Sequence, residues 1–181
     1  LAERVHYDGR VESKAQAKEI DALLNEIHER GYESLAVSLL HAYADPSHER
    51  LIGERAAAVN GSLSISLSSD VSAKFREYER TSTAVANAYI KPLVGKYVRA
   101  LEKSLAARGV NADLFLMQSN GGLVSPELAA ENPIRIVESG PAAGVLMCAE
   151  VGREEGFDHV LTFDMGGTTA KLGAIDHGVP A

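Results

Sequence analysis

Thr162-Phe163-Asp164-Met165-Gly166-Gly167-Thr168-Thr169-Ala170-Lys171 is the stretch on which the reading of this chain turns. The apolar run Val160 to Phe163 reads as a strand, Asp164 ends it, and two glycines make a tight turn. A second strand follows from Thr169 to Ile175, with Ala170, Leu172 and Ala174 alternating along it. This arrangement suits a phosphate. Glycines tolerate unusual φ and let the backbone come close to a ligand, and successive N–H groups in such a turn form an anion-binding nest. The hydroxyls of Thr168 and Thr169 add hydrogen bonds, and a carboxylate at the strand end orients a hydrated Mg2+ or a water. Lys171 lies two residues beyond Thr169, hence on the same strand face, within reach of a phosphate or an acidic substrate. The plain alternative is a β-hairpin with a Gly-Gly turn and a solvated lysine; these residues alone leave both open. Neither GxxxxGK(S/T) nor GxGxxG occurs, which excludes a Walker-type loop.

Upstream, helix and strand alternate, the signature of an α/β fold. Lys14 to Arg30 carries Ile20, Leu23, Leu24 and Ile27 at helical spacing, with Gly31 as its stop. Leu35 to Leu40 reads as a buried strand. Asp45-Pro46 starts a helix, Asp as N-cap and Pro at the first position; it buries Leu51, Ile52 and Val59 and ends near Asn60-Gly61. Ser64 to Leu67 is a short strand. A long helix from Glu77 to Arg108, closed by Gly109, has apolar positions at Val85, Ile90, Leu93, Val94, Tyr97, Val98, Leu101 and Leu105. Pro92 within it predicts a kink or a break. Leu114 to Met117 is a strand, Ser125-Pro126 starts a short helix, and Ile134 to Val137 is extended. Ser139-Gly140-Pro141 opens a helix rich in small residues, which can lie close to a neighbouring backbone. The polar connector from Gly152 to His159 is the one candidate boundary.

Two further motifs can carry chemistry. Asn120-Gly121-Gly122 is a glycine loop at a strand's C-terminal end, where open α/β sheets bind ligands; an ordinary turn explains it as well. Ser139 and Gly140 mark a helix N-terminus, a potential anion site, with capping and close packing as the plain alternative. Glu138 beside them has no evident role. Asp70 and the run Arg76 to Thr81 read as a solvated helix start. The six histidines show no metal-ligand spacing and read as surface or capping residues. Cys148 reads as a buried structural thiol. Asn60-Gly61-Ser62 matches a glycosylation triplet without any sign of secretion.

Composition sets the outer bounds. The chain has 181 residues, 45% hydrophobic and 24% charged, and a net charge of −7, ordinary globular figures. The acidic balance disfavours a nucleic-acid partner but not a nucleotide, which backbone amides and a metal ion can neutralise. No apolar run reaches the length of a membrane span. A single cysteine forbids an internal disulfide and points to a reducing compartment. The chain starts at Leu1 and stops just after Asp176-His177-Gly178, which reads as a hairpin turn without its returning strand. A piece of a larger protein is therefore expected.

Five segments in one order carry a resemblance: Ser38 to Arg50, Arg76 to Tyr97, Leu114 to Leu123, Glu138 to Val145 and Thr162 to Lys171. Together they resemble the hydantoinase A / 5-oxoprolinase family, most of all its N-methylhydantoinase A members. The resemblance implies a ribonuclease-H-like fold of the actin-like ATPase superfamily, a mixed sheet flanked by helices, with ATP and Mg2+ held between two such domains. Residues 1–151 would be the later part of the first domain, and 152–181 the truncated start of the second. It implies an enzyme that uses ATP to activate a cyclic amide, of hydantoin, N-methylhydantoin or 5-oxoproline type, for opening by water. It also implies a hydantoinase B-like subunit, self-association or both, and a cytoplasmic location. Carried over residue by residue, Asp164 would orient Mg2+ or water, and Gly166, Gly167, Thr168 and Thr169 would hold phosphate. Asn120, Gly121, Gly122, Ser139 and Gly140 would lie near the cleft. Thr169-Ala170-Lys171 stands where many members have Ser-Thr-Asp, so the role of Lys171 stays open. With the first phosphate loop absent, this piece is expected to bind ATP weakly or not at all. An ATPase subunit of an acetone or ketone carboxylase, and a non-catalytic actin-like nucleotide-binding module, are the alternatives.

Overall fold

In the computed structural model of the chain, which describes residues 1–59 and 61–181, helices and short strands alternate in two compact units, Leu1–Tyr97 and Val98–Ala181. Parallel and antiparallel pairing both occur, in separate small sheets. Asn60, and with it the glycosylation triplet, lies outside the described residues.

The first unit opens with an antiparallel pair, β1 (Arg4–Val5) and β2 (Val11–Ser13). Helix α1 (Ala17–Glu29) follows, then β3 (Ser34–Val37), α2 (Ser47–Val59) and β4 (Ser64–Leu67). β3 and β4 pair in parallel, Ser34 opposite Ser64 through Val37 opposite Leu67, so α2 is the crossover of a βαβ unit. The core between α1, α2 and this pair is built from Ile20, Leu24, Val37, Ile52, Ala56 and Leu63. Ile20, Leu24, Val37 and Ile52 are positions that the helical and strand patterns assign to the inside; Ala56 and Leu63 join them without having stood out in those patterns, and Leu23 is 41% exposed. The predicted strand 35–40 stops at Val37, and residues 40–44 form turns instead. At the head of α2, the Asp45 carboxylate accepts the Ser47 N–H at 2.9 Å, and the Pro46 carbonyl accepts from Arg50 N at 3.0 Å. Pro46 thus already bonds as a first helical residue.

A one-turn helix, α3 (Ser68–Val71), leads to α4 (Glu77–Ala107), 31 residues long. The helix runs through Pro92 as one element, not the two that a break would leave. Its inner face within the first unit is not the apolar one expected. Arg80, Ala84, Asn87 and Ala88 are buried, while Val85, Tyr89, Leu93 and Tyr97 are exposed. Small and hydrogen-bonded residues lie inside because α4 meets polar groups around the parallel pair. Asn87 Nδ2 donates to Ser66 Oγ at 2.9 Å, and Lys91 Nζ to the Ile65 carbonyl at 2.7 Å. Arg80, expected in a solvated helix start, is fully buried. It donates to the Leu39 and Lys74 carbonyls, both at 2.9 Å, and to Ser68 Oγ at 3.1 Å. Glu49, also fully buried, completes the network, accepting from Leu39 N, Ser68 Oγ and Ser69 N. His48 departs from the surface reading as well. It is 6% exposed, with Nδ1 2.7 Å from Glu3 and Nε2 accepting the Ala15 N–H.

Both α1 and α4 end on a left-handed glycine. Gly31 and Gly109 have φ of 72° and 75°, and each turn closes with a pair of bonds, Gly31 N to His28 O with Tyr32 N to Ile27 O, and Gly109 N to Ala106 O with Val110 N to Leu105 O. This is the Schellman closure, which satisfies carbonyls that a helix end leaves orphaned.

In the second unit, β5 (Leu116–Met117) and β6 (Leu123–Val124) form a small antiparallel pair, shorter than the strand expected over 114–117. Helix α5 (Pro126–Glu131) is capped by Ser125, whose hydroxyl accepts the Leu128 N–H. Of the stretch Ile134 to Val137, predicted as extended, only Val137 is so; residues Pro133–Ile136 form a 3-10 turn, and Pro133 at its first position presets the φ that such a turn needs. Helix α6 (Ser139–Glu154) then packs on a three-stranded antiparallel sheet of β7 (His159–Met165), β8 (Ala170–Asp176) and β9 (Val179–Pro180). The turn at His177-Gly178 does lead into a returning strand, β9, which pairs Val179 with Asp176 and Pro180 with Ile175. Close approach of α6 relies on two glycines. A Cβ on Gly152 would stand 2.7 Å from Val160 Cγ2, and one on Gly173 would stand 2.6 Å from both Thr162 Oγ1 and Val145 Cγ2. Among the described residues no helix is long and apolar enough to cross a membrane.

Candidate functional site

Strand register divides the residues of the β7–β8 hairpin between two faces. Cross-strand pairs are Val160 with Ile175, Thr162 with Gly173 and Asp164 with Lys171 on one face, and Leu161 with Ala174, Phe163 with Leu172 and Met165 with Ala170 on the other. The first face meets α6: Ile175 and Thr162 are buried there, and Gly173 touches Val145. The alternation noted at Ala170, Leu172 and Ala174 therefore marks the outer face, with Leu172 76% exposed. Strand periodicity identifies two faces but not which one a helix covers.

Asp164 and Lys171 consequently stand opposite each other at the turn end of the hairpin, on the α6 face. Glu138, the residue before α6, joins them through an ion pair with Lys171 Nζ. Glu138 has φ 62° and ψ 19°, the left-handed region, and its side chain makes no capping bond to the helix. That conformation costs a residue with a Cβ on the order of 1 kcal/mol, and strain of this kind clusters at functional sites. Asp164 and Lys171 also line a cavity of about 220 Å³ between α6 and the hairpin, together with Pro141, Gly144, Cys148 and Thr162. Its walls are mostly apolar, with the charged pair at the rim. Cys148, half-buried rather than enclosed, is part of that wall.

The turn itself is open. Gly166 N donates to the Thr169 carbonyl at 3.0 Å. Neither Gly166 nor Gly167 adopts a left-handed φ, so conformational freedom of that kind is not what the turn takes from them. The space around them is open: a Cβ on Gly167 would meet nothing within 4 Å, and one on Gly166 only the Thr169 carbonyl at 4.0 Å. Thr168 and Thr169 are exposed beside them. A ligand can reach the backbone of this turn unobstructed.

The other motifs stand apart from that cavity. Asn120-Gly121-Gly122 is the β5–β6 turn: Gly121 has φ 86°, Gly122 N donates to Asn120 Oδ1 at 3.0 Å, and a Cβ on Gly121 would meet Leu146 Cδ1 of α6 at 2.6 Å. It packs beside α6, and none of its residues lines the cavity. Ser139 and Gly140 begin α6 next to Glu138, and a Cβ on Gly140 would meet nothing within 4 Å. The structure thus brings together Asp164, Lys171 and the start of α6. The Glu138–Lys171 pair escaped sequence reading because 33 residues separate its members; the signal available was a carboxylate directly before a helix that opens Ser-Gly-Pro.

Comparison with known proteins gives this geometry its context. The profile of the hydantoinase/oxoprolinase family matches residues 80–181, and that of the hydantoinase/oxoprolinase N-terminal region matches residues 1–59. The caprolactamase subunit alpha of Pseudomonas jessenii is 31% identical over 169 residues, 93% of this chain and 24% of that protein. The 5-oxoprolinase of Saccharomyces cerevisiae is 31% identical over 164 residues, 90% of this chain and 12% of that protein. The chain therefore spans about a quarter or less of these relatives. The crystal structure of the ATP-dependent caprolactamase superposes with a TM-score of 0.86 at 30% identity, over 95% of this chain and 25% of that one. A nucleotide-free acetone carboxylase superposes with a TM-score of 0.82 at 23% identity, over 97% and 25%, a likeness of fold alone. The architecture is the α/β, actin-like ATPase type that the sequence predicted.

Proposed function

The chain belongs to the hydantoinase/oxoprolinase family, and from that premise we propose that the protein carrying it is an ATP-dependent amidohydrolase. Its substrate is a cyclic amide of the hydantoin, N-methylhydantoin or 5-oxoproline type. Residues 1–151 are assigned to the later part of a first ATPase domain and 152–181 to the start of a second, which presents the phosphate hairpin. The observation that carries the reading is the convergence of Asp164, Lys171 and an unobstructed Gly166-Gly167 turn at one end of the β7–β8 hairpin.

This donor set fits a phosphate and its divalent cation. Carboxylate oxygen is the ligand that Mg2+ prefers, so Asp164 would hold the cation or a water bound to it. The Lys171 ammonium, the Thr168 and Thr169 hydroxyls and the turn N–H groups other than that of Gly166, which bonds the Thr169 carbonyl, would be the donors to phosphate oxygens. The chemistry that ATP would supply is phosphoryl activation of an amide that water attacks too slowly alone. The part of this chain is to position and neutralise, the main devices of phosphoryl transfer. Glu138 keeps Lys171 on the α6 face beside Asp164. Asn120, Gly121, Gly122, Ser139 and Gly140 are assigned to the surroundings of the cleft. Relatives named as subunits support assembly with another subunit; the partner proposed is a hydantoinase B-like subunit, a second copy of the protein or both, and the location proposed is the cytoplasm.

ATP turnover by the protein carrying this chain, measured with hydantoin, 5-oxoproline, caprolactam or acetone, tests the proposal. A cyclic amide is expected to raise turnover and appear as the ring-opened acid. Stimulation by the ketone with bicarbonate, and by no amide, would move the assignment to a carboxylase subunit. Turnover indifferent to all four would move it to a non-catalytic nucleotide module.

A further inference from the structure

We infer that His159, Asp176 and His177 form a binding site for a divalent transition-metal ion of the Zn2+ type, separate from the phosphate hairpin turn. Among the described residues these three are the one group whose ligand atoms, one from each, all lie within 4.8 Å of one another. The backbone assembles them. His159 opens β7 and pairs in register with Asp176, which closes β8, and His159 Nδ1 lies 2.8 Å from Asp176 Oδ1. His177 is the next residue, in the left-handed region at φ 47° before Gly178, so the chain reverses there and its imidazole returns over the strand pair. The two rings stand 5.1 Å apart at 63°.

Three features make this a ligand set. Two imidazoles and one carboxylate are the donors that Zn2+ takes, whereas Mg2+ and Ca2+ take oxygen. The backbone beneath is fixed, because His177 N donates to the Asp158 carbonyl at 2.6 Å and thereby ties the β8–β9 turn to the residue before β7. The side chains above are open to solvent, with those of His159, Asp176 and His177 67 to 74% exposed, so small rotations bring the three atoms onto one ion and leave a fourth position to water. Asp158 Oδ1, 3.6 Å from His177 Nδ1, is placed to steady that ring from outside. Asp164 is five residues along β7 from His159, about 17 Å at strand rise, so the ion would clip the far end of the hairpin. Eighteen residues separate the histidines in sequence, and only strand pairing brings them together.

The test is titration of the EDTA-stripped full chain with Zn2+ by calorimetry, and with Co2+ by visible absorption. One equivalent is expected to bind in the micromolar range, with the intense d–d bands of a low-symmetry Co2+ site and a rise in Tm. His159→Ala and His177→Ala are each expected to weaken binding more than about tenfold, Asp158→Asn to weaken it less, and His6→Ala, at another histidine–carboxylate pair, to leave it unchanged. The side chains of His159, His177 and Asp158 are exposed and that of His6 is half-buried, so unchanged circular dichroism of each variant is the folding control. No saturable binding at submillimolar Zn2+, or undiminished binding in the His159→Ala/His177→Ala double variant, would overturn the inference.

Discussion

Gly173 faces two neighbours across a gap that admits no side chain, whereas Gly144, in α6 above it, faces open space. Gly173→Ala must push aside both Thr162 and Val145, an overpacking that costs about 1–3 kcal/mol, while Gly144→Ala gains about 0.5–1 kcal/mol of helix propensity. Thermal unfolding should separate the two in opposite directions. Asp45 gives a pH signature. The Ser47 backbone N–H, and then its hydroxyl, hold the Asp45 carboxyl below its ordinary value of 3.8. A carboxyl lowered on folding stabilises above its ordinary range and loses that contribution as pH falls through its folded value. Asp45→Ala should thus cost about 1 kcal/mol at neutral pH, and the difference in Tm from the parent should narrow below about pH 3.8. At Lys171 the expectation is functional: under the proposed function Lys171→Met removes a cation that would face phosphate, and it should raise the KM for ATP about tenfold, about 1.4 kcal/mol, with little change in Tm, because its exposed pair with Glu138 contributes little stability.

Among the elements, α4 departs furthest from its sequence pattern. Periodicity identified the helix, and Gly109 its end, since a left-handed glycine is a local requirement. Which face turns inward was not legible: Val85, Leu93 and Tyr97 read as core and are exposed, Arg80 read as a solvated helix start and is buried, and Asn87, buried as well, carries no signal in the pattern. The decision rests on partners 21 to 41 residues away, Ser66 and the Leu39 carbonyl, which no local pattern encodes. Arg80→Met would strip the Lys74 carbonyl of this donor, leave the Leu39 carbonyl with only its bond from Ala42 N, and remove the guanidinium that shares Ser68 Oγ with the buried Glu49. It should destabilise the fold by about 3 kcal/mol, read as a lower midpoint in urea with an unchanged slope. Strands β7 and β8 tell the same story in period two. Their existence and the turn between them follow from Asp164-Met165-Gly166-Gly167, but only packing against α6 selects Thr162, Gly173 and Ile175 as the inside.

At the scale of the molecule, the alternation of helix and strand, together with five ordered motifs, made the α/β architecture and the family legible. Chemistry that depends on strand register was legible only in part. Asp164 and the glycine turn are contiguous and readable. Glu138 reaches Lys171, and His159 reaches His177, only through pairing and packing across long stretches of chain. The function proposed rests on the contiguous part, with Asp164 as the carboxylate beside the phosphate turn. The most direct test is the kcat for ATP hydrolysis, in the presence of the activating amide, of the protein carrying this chain. Asp164→Ala should lower it more than about a hundredfold, while Glu150→Ala, on the surface of α6, leaves it unchanged. Parental turnover by Asp164→Ala would contradict the assignment of this hairpin to phosphate chemistry.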